Sequence, residues 1–405
     1  MIDVDAVRRS TPGCETRIHL NNAGASLMSQ PVLDAVVDHL QLEARLGGYE
    51  AADAAAERLD AVYASAARLV NAQLPEIALQ ENATRAWQAV FYGLRLGPGD
   101  RIVTGQAEYT SNYMAYLQVA ARTGATIHVV EDDEHGQIDV GRLASAIDER
   151  TKLISLTHVP TSGGLVNPAA AVGRVARDAG VPYLLDACQS VGQMPIDVEA
   201  IGCDFLSTTG RKFLRAPRGT GFLYVRADRL EAIEPPVVEV GSAAWTSRDG
   251  YTYKPGARRF ETWEAAHALR LGLGRAIDDA LALGLDAIWA RVSMLADALR
   301  ARLGTLPGVT VQDLGAVRCG IVTFAVDGVA AGDVQRALAA RRINADVSTA
   351  EDTRLDFEAR GLGALVRASV HYFNTEAELD AACDVVATLG SVARGRECPG
   401  QTSAP

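Results

Sequence analysis

Between residues 79 and 226 the chain alternates short, strongly apolar runs with segments of helical periodicity, and this constrains the fold more than any other feature. Alternation of that kind builds a mostly parallel sheet covered by crossover helices. The spacing predicts strands over 101–104, 126–130, 153–157, 182–186, 204–207 and 221–225, with helices near 110–122, 139–149 and 168–179. Open sheets of this type bind ligands at the carboxyl ends of their strands. The polar residues directly after those runs are therefore the candidates for chemistry.

The flanks extend this α/β plan. Pro31 opens a helical pattern that stops at Gly47-Gly48, and a second helix is expected over 52–70. A long helical stretch runs from Trp263 to about Leu303 with a break at Gly284. Beyond it lies a smaller α+β unit, with strands near 308–312, 319–325, 343–347 and 365–370 and helices over 331–340 and 376–389. At 405 residues the chain exceeds what one core supports, so two domains are expected. The division reads as an N-terminal arm (1–19), a large domain (20–262), a linker helix with a small C-terminal domain (263–390), and a flexible polar tail (391–405).

A net charge of −11 argues against a nucleic-acid partner, which needs a concentrated basic surface. Acids at Asp3 and Asp5 stand where a signal peptide would be basic, and no apolar run reaches the length of a membrane span. The expectation is a soluble, cytoplasmic protein. Its six cysteines form no C-x-x-C pair and have no histidine at ligand spacing, so neither zinc nor a disulfide framework is expected.

Only Lys152, Lys212 and Lys254 represent lysine, against 39 Lys and Arg together. Arginine cannot form an imine and lysine can, so a lysine retained in a turn after a strand invites a chemical explanation. Lys212, in Ser207-Thr-Thr-Gly-Arg-Lys-Phe213, has that setting. Lys152 reads as a solvated strand entry and Lys254 as a loop residue. Asp186 ends the apolar run Val181-Pro-Tyr-Leu-Leu-Asp186, where a buried carboxylate needs a cationic or hydrogen-bonding partner, a protonated pyridine nitrogen being one and a helix N-cap another. Asn82-Ala-Thr84 precedes a helical run whose free N–H groups suit a phosphate. Tyr109 follows another strand, where its ring could stack on a flat cofactor, and Asn21-Asn-Ala-Gly24 offers small residues for close backbone approach to a ligand, or simply a turn.

Taken together with Glu108-Tyr109, Thr157-His-Val-Pro160, Asp186-Ala-Cys-Gln189, Thr208-Thr-Gly-Arg-Lys212, Arg259-Phe-Glu261 and Val366-Arg-Ala-Ser369, these motifs resemble the class V, fold-type I pyridoxal-phosphate enzymes over about residues 18–390. That group contains cysteine desulfurases, selenocysteine lyases, isopenicillin N epimerase and the ergothioneine-pathway carbon–sulfur lyase. The resemblance implies pyridoxal 5'-phosphate as cofactor, an imine to Lys212, and pairing of Asp186 with the ring nitrogen. It further implies Gln189 and Thr161 at the phenolic oxygen, Tyr109 on the ring face, and Ala83, Thr84, Thr209 and Arg211 at the phosphate. Arg367 would take the α-carboxylate of an amino-acid substrate, with Asn22 and Ala23 beside it, in a homodimer whose active site lies at the interface.

Two departures shape the expected reaction. The desulfurases carry a persulfide-forming cysteine on a mobile loop, and the matching stretch Val347–Asp356 has none. Where they have a Gly-Thr-Pro segment reaching the partner subunit's phosphate, this chain has Phe260-Glu-Thr-Trp-Glu264, leaving Thr262 or Trp263 for that role. The stretches 47–53, 357–361 and 370–375 resemble the ergothioneine-lyase and epimerase branch. The expected activity is β-elimination from an S-substituted cysteine or its sulfoxide without an enzyme thiol. Class V transamination or epimerisation is the alternative.

Overall fold

The computed structural model describes residues 2–396, the side chains of 391–396 excepted. Its frame is a seven-stranded sheet made of β1 (Ile77–Gln80), β2 (Arg101–Gly105), β3 (Thr126–Val130), β4 (Thr151–Thr157), β5 (Tyr183–Asp186), β6 (Phe205–Thr209) and β7 (Gly221–Val225). The spatial order is β1-β7-β6-β5-β4-β2-β3. Only β7 runs antiparallel to its neighbours β1 and β6; every other pairing is parallel. The strands β5, β6 and β7 are buried along their whole length, which is why they read as continuous apolar runs. All six expected strands are present, and β1 is an addition from a short run, Ile-Ala-Leu-Gln, too brief to stand out by periodicity.

Helices Ala83–Phe91 (α1), Thr110–Thr123 (α2) and Ala169–Ala179 (α3) follow β1, β2 and β4 as the crossover pattern requires. The second N-terminal helix departs from expectation: it is two pieces, Gly48–Ala54 and Ala56–Val70. The long stretch breaks at Gly284, which has φ +84°, into helices His267–Leu283 and Leu285–Thr305. The small unit holds a four-stranded antiparallel sheet of β8 (Val309–Val311), β9 (Ile321–Val326), β10 (Asp346–Ser348) and β11 (Leu365–Ser369), ordered β8-β9-β11-β10. The last helix runs from Glu376 to Arg396, past the 389 expected for it and into the stretch read as a flexible tail. Residues 397–405 of that expectation lie outside the described residues. Among the described residues no helix is long and apolar enough to cross a membrane.

The chain's N-terminal segment ties the small sheet to the large one. Ser369, ending β11, donates its N–H to the Leu20 carbonyl, and its Oγ accepts from Ala23 N at 2.9 Å. That seam carries Arg367 to the carboxyl edge of the large sheet.

Candidate active site

The ends of β1, β2, β4, β5 and β6 open on one cavity of ≈ 360 Å3. Nine expected residues line it: Ala83, Thr84, Tyr109, Thr161, Asp186, Gln189, Thr209, Arg211 and Lys212. Asn82, Asn112, Thr157 and Cys188 join them. At its β1 side Asn82 caps α1 by accepting the Arg85 N–H at 2.9 Å, which leaves the N–H groups of Ala83 and Thr84 free at the positive end of the helix. Gly221 makes this approach possible, since a Cβ there would meet the Thr208 carbonyl at 2.4 Å and the Asn82 backbone at 3.2 Å.

Asp186 is buried, and its oxygens accept from Asn112 Nδ2 at 2.9 Å and Cys188 N at 2.9 Å. Burial raises its proton affinity against the hydrogen bonds and the nearby Lys212. Behind it lies Glu108, which accepts from Thr104 (2.8 Å), Tyr109 N (2.7 Å), Asn112 (3.0 Å), Tyr116 (3.1 Å) and the Thr157 hydroxyl. Asn112 thus bridges two buried carboxylates. Its spacing of three residues from Tyr109 on α2 was the available signal for it, since that places both at the same end of one helix face.

Lys212 is 8% exposed and forms no ion pair among the described residues. Burial lowers its pKa, favouring the neutral amine that attacks a carbonyl. A tight turn presents it: Arg215 N donates to the Lys212 carbonyl at 2.9 Å, with Arg215 at φ +62°. That strained residue is held by its guanidinium, which donates to Leu27 O (2.8 Å), Tyr372 OH (2.8 Å) and Thr11 Oγ1 (2.6 Å). His371 adds a contact to the Phe213 carbonyl at 2.9 Å, so it serves the turn rather than the substrate. By contrast Lys152 is exposed and donates to Glu149 O at 2.8 Å, the solvated strand entry that was expected.

A second cavity, ≈ 310 Å3, adjoins the first and shares Tyr109, Thr161, Arg211 and Lys212 with it. Ala23 and Arg367 line it, together with Arg218, Asp346 and Asp352. Arg367 Nη1 donates to Thr161 Oγ1 (2.8 Å) and Thr161 O (3.1 Å), and Nη2 pairs with Asp346 at 2.8 Å. Its Nε is buried with no partner. Two expected contacts are not brought here. The Asn22 amide is spent on backbone, donating to Ser369 O (2.7 Å) and His19 O (3.3 Å), so it fastens the seam instead of facing substrate. Thr262 lines a separate depression with Gln80, Arg85 and Val237, away from Lys212.

Two buried polar groups of the first cavity suit the partners that a flat, charged cofactor would bring. Among the described residues Gln189 Oε1 has no hydrogen-bond partner, although Gln189 Nε2 donates to Thr161 Oγ1 at 3.1 Å, and the buried Asp186 carboxylate, held by Asn112 and Cys188 N, has no cation within ion-pair distance. A pyridinium N–H, a phenolic oxygen and a phosphate match, in turn, Asp186, the Gln189–Thr161 pair, and the α1 terminus with Thr209 and Arg211.

An aminotransferase class-V family model matches residues 18–382. The chain belongs to that family. Among its relatives, a probable cysteine desulfurase of Methanothermobacter thermautotrophicus is 31% identical over 92% of this chain and 94% of its own length. One from Synechocystis sp. is 32% identical over 90% and 88%. The class V fold is equally plain in three dimensions: the cysteine desulfurase of Thermococcus onnurineus superposes with a TM-score of 0.90 at 26% identity, covering 98% of this chain and 99% of that one.

His158, the residue after β4, gives a test of this buried arrangement. Burial holds its imidazole at about 4, against 6.5 in the open. The unfolded ring takes a proton near pH 6.5 and the folded ring only near 4. Stability is therefore intact above pH 6.5 and is lost as pH falls towards 4, by about 3 kcal/mol in all. In denaturant melts His158→Asn should lack that part of the acid loss, the gap between parent and variant shifting progressively from pH 7 to pH 4.

Proposed function

We propose that the chain is a pyridoxal-phosphate enzyme that eliminates the sulfur substituent from an S-substituted cysteine or its sulfoxide, releasing pyruvate and ammonia, without a persulfide on the enzyme. The observation that carries this is the make-up of the segment opposite Lys212. In the 347–356 stretch there is no cysteine, and Thr110 pins it by its N–H to Asp352 O (3.1 Å) and its hydroxyl to Glu351 O (2.5 Å). Among the described residues Cys188 is the one thiol lining the cavity, and burial pushes it up, keeping it a protonated, poor nucleophile. Cys203, Cys319 and Cys383 are buried away from it.

When bound, pyridoxal phosphate supplies an electron sink for charge developing at the substrate Cα. Within this reading the chain's own groups have separate tasks. Arg367, held by Thr161 through Nη1 and with Nε unpartnered, takes the α-carboxylate by exchanging its Asp346 pairing for it. The neutral Lys212 amine takes the Cα proton and can return it. Asp186, aimed by Asn112, holds the ring nitrogen protonated, and Tyr109 covers the ring. The sulfur then leaves with the Cβ–S electron pair and needs no acceptor thiol.

A homodimer fits the surface. Leu40 (51% exposed), Tyr49 (73%), Trp245 (81%) and Trp263 (58%) are large apolar side chains left open, and Thr262 lies beside the last of them. That placement suits a contact with a partner's site better than with its own.

The test supplies S-alkylcysteines and cysteine sulfoxides with and without a keto-acid acceptor. Pyruvate released without acceptor is the expected result, and it should persist in Cys188→Ala. Amino transfer that needs the acceptor would replace elimination with transamination, and loss of sulfur release in Cys188→Ala would restore a persulfide route.

A further inference from the structure

The second cavity is unusual in what it lacks. Apart from Tyr109, the non-polar residues that line it are only Ala23, Gly24 and Ala25, so an alkyl substituent on the substrate sulfur has no large apolar side chain to bury against. Its remaining wall is polar, with Asn21 and Thr161 beside six charged residues. Arg367 and Asp346 are committed to each other, and Asp346 also accepts Val347 N at 3.0 Å. Two further groups are not committed. Arg218 is exposed and makes no hydrogen bond or ion pair among the described residues. Asp352 is half-buried and, among the described residues, its carboxylate accepts only a long bond from Thr349 N at 3.2 Å. Its backbone is fixed, because Thr110 N holds the Asp352 carbonyl. Besides Arg211 and Lys212, which the reading above assigns to the cofactor, one cation and one anion without a charged partner therefore line the cavity that Lys212 also lines.

We propose that the substrate is a cysteine thioether whose sulfur substituent itself bears a carboxylate and an ammonium, the carboxylate paired with Arg218 and the ammonium with Asp352. This rests on the elimination reading above and narrows it. A substituent with only a carboxylate meets the Asp352 charge, and one with only an ammonium meets Arg218; a group carrying both satisfies each. The bond accounting is unchanged. Cα loses a proton, and the Cβ–S bond breaks with its electron pair on sulfur, which leaves as a thiolate and is protonated. One water then converts the remaining enamine to pyruvate and ammonia, with no oxidant or reductant.

Binding can be read apart from turnover by titration calorimetry of the Lys212→Ala protein. The probes are lanthionine, S-propylcysteine, S-carboxyethylcysteine and S-aminoethylcysteine. Lanthionine should bind about ten- to a hundredfold tighter than S-propylcysteine, the range expected of charge-assisted contacts. Adding Arg218→Ala should weaken lanthionine and S-carboxyethylcysteine about tenfold or more and leave S-aminoethylcysteine no weaker, while Asp352→Asn should weaken lanthionine and S-aminoethylcysteine and spare S-carboxyethylcysteine. S-Propylcysteine should respond to neither. Equal affinity for all four compounds, or a lanthionine preference that survives both substitutions, overturns the inference. Pyruvate assays on the parent chain separate this from the underlying reading: no pyruvate from any compound would sink elimination, whereas the calorimetry would still decide the pocket.

Discussion

Lys212→Ala is expected to abolish pyruvate release, by about 10^4-fold or more, because one substitution removes both the attachment point and the proton carrier; positioned proton transfer alone contributes about 10^2–10^4-fold. Borohydride reduction followed by peptide mass mapping gives an independent readout. In the parent chain the reduced cofactor should appear on the peptide containing Lys212, and in the variant no peptide should carry it. Lys254→Ala is the control, since Lys254 lines neither cavity and its loss should leave attachment intact. Attachment that persists in Lys212→Ala would overturn the assignment. The variant is not expected to unfold, because the turn is held by Arg215 and His371 through backbone carbonyls and neighbouring side chains rather than by the lysine amine.

Asp186→Asn is the second large effect. The change is nearly isosteric, yet it replaces a buried anion by a neutral amide, removing the partner of a ring cation. Losing one side of a buried ion pair costs about 3–5 kcal/mol, or roughly 10^2–10^4-fold in rate if the charge is felt in the transition state. The local hydrogen bonds make the substitution worse. Asn112 donates to both Asp186 and Glu108, so turning its amide to suit a new neighbour would set its carbonyl against the Glu108 carboxylate. The expected outcome is a kcat loss in that range with KM for substrate changed little, and weaker retention of the cofactor on dialysis. A variant with unchanged kcat would remove Asp186 from the proposed ring-nitrogen role.

Much of the site can be read along the chain because each member ends a strand of a parallel sheet. Once the alternation is recognised, Tyr109, Asp186 and Lys212 must share one edge, and the structure brings them to one cavity with Thr84, whose preceding strand β1 the pattern does not show. Asn22 misleads for a physical reason: a short polar side chain next to small residues suits a ligand or a backbone seam equally well, and only the position of Ser369, 347 residues away, makes it a seam. Arg218 and Asp352 carry no local signal at all, being a loop arginine and a loop aspartate among many.

The sequence by itself determined the sheet, its crossover helices and the rank of Lys212 among three lysines, since strand burial and helical periodicity are local properties written every two or every 3.6 residues. Tertiary structure alone decided what surrounds those residues. The Glu108–Asn112–Asp186 bridge and the clamp on Arg215 join segments that are far apart in sequence, and the pairing of Arg367 with Asp346 depends on the register of β11 against β10.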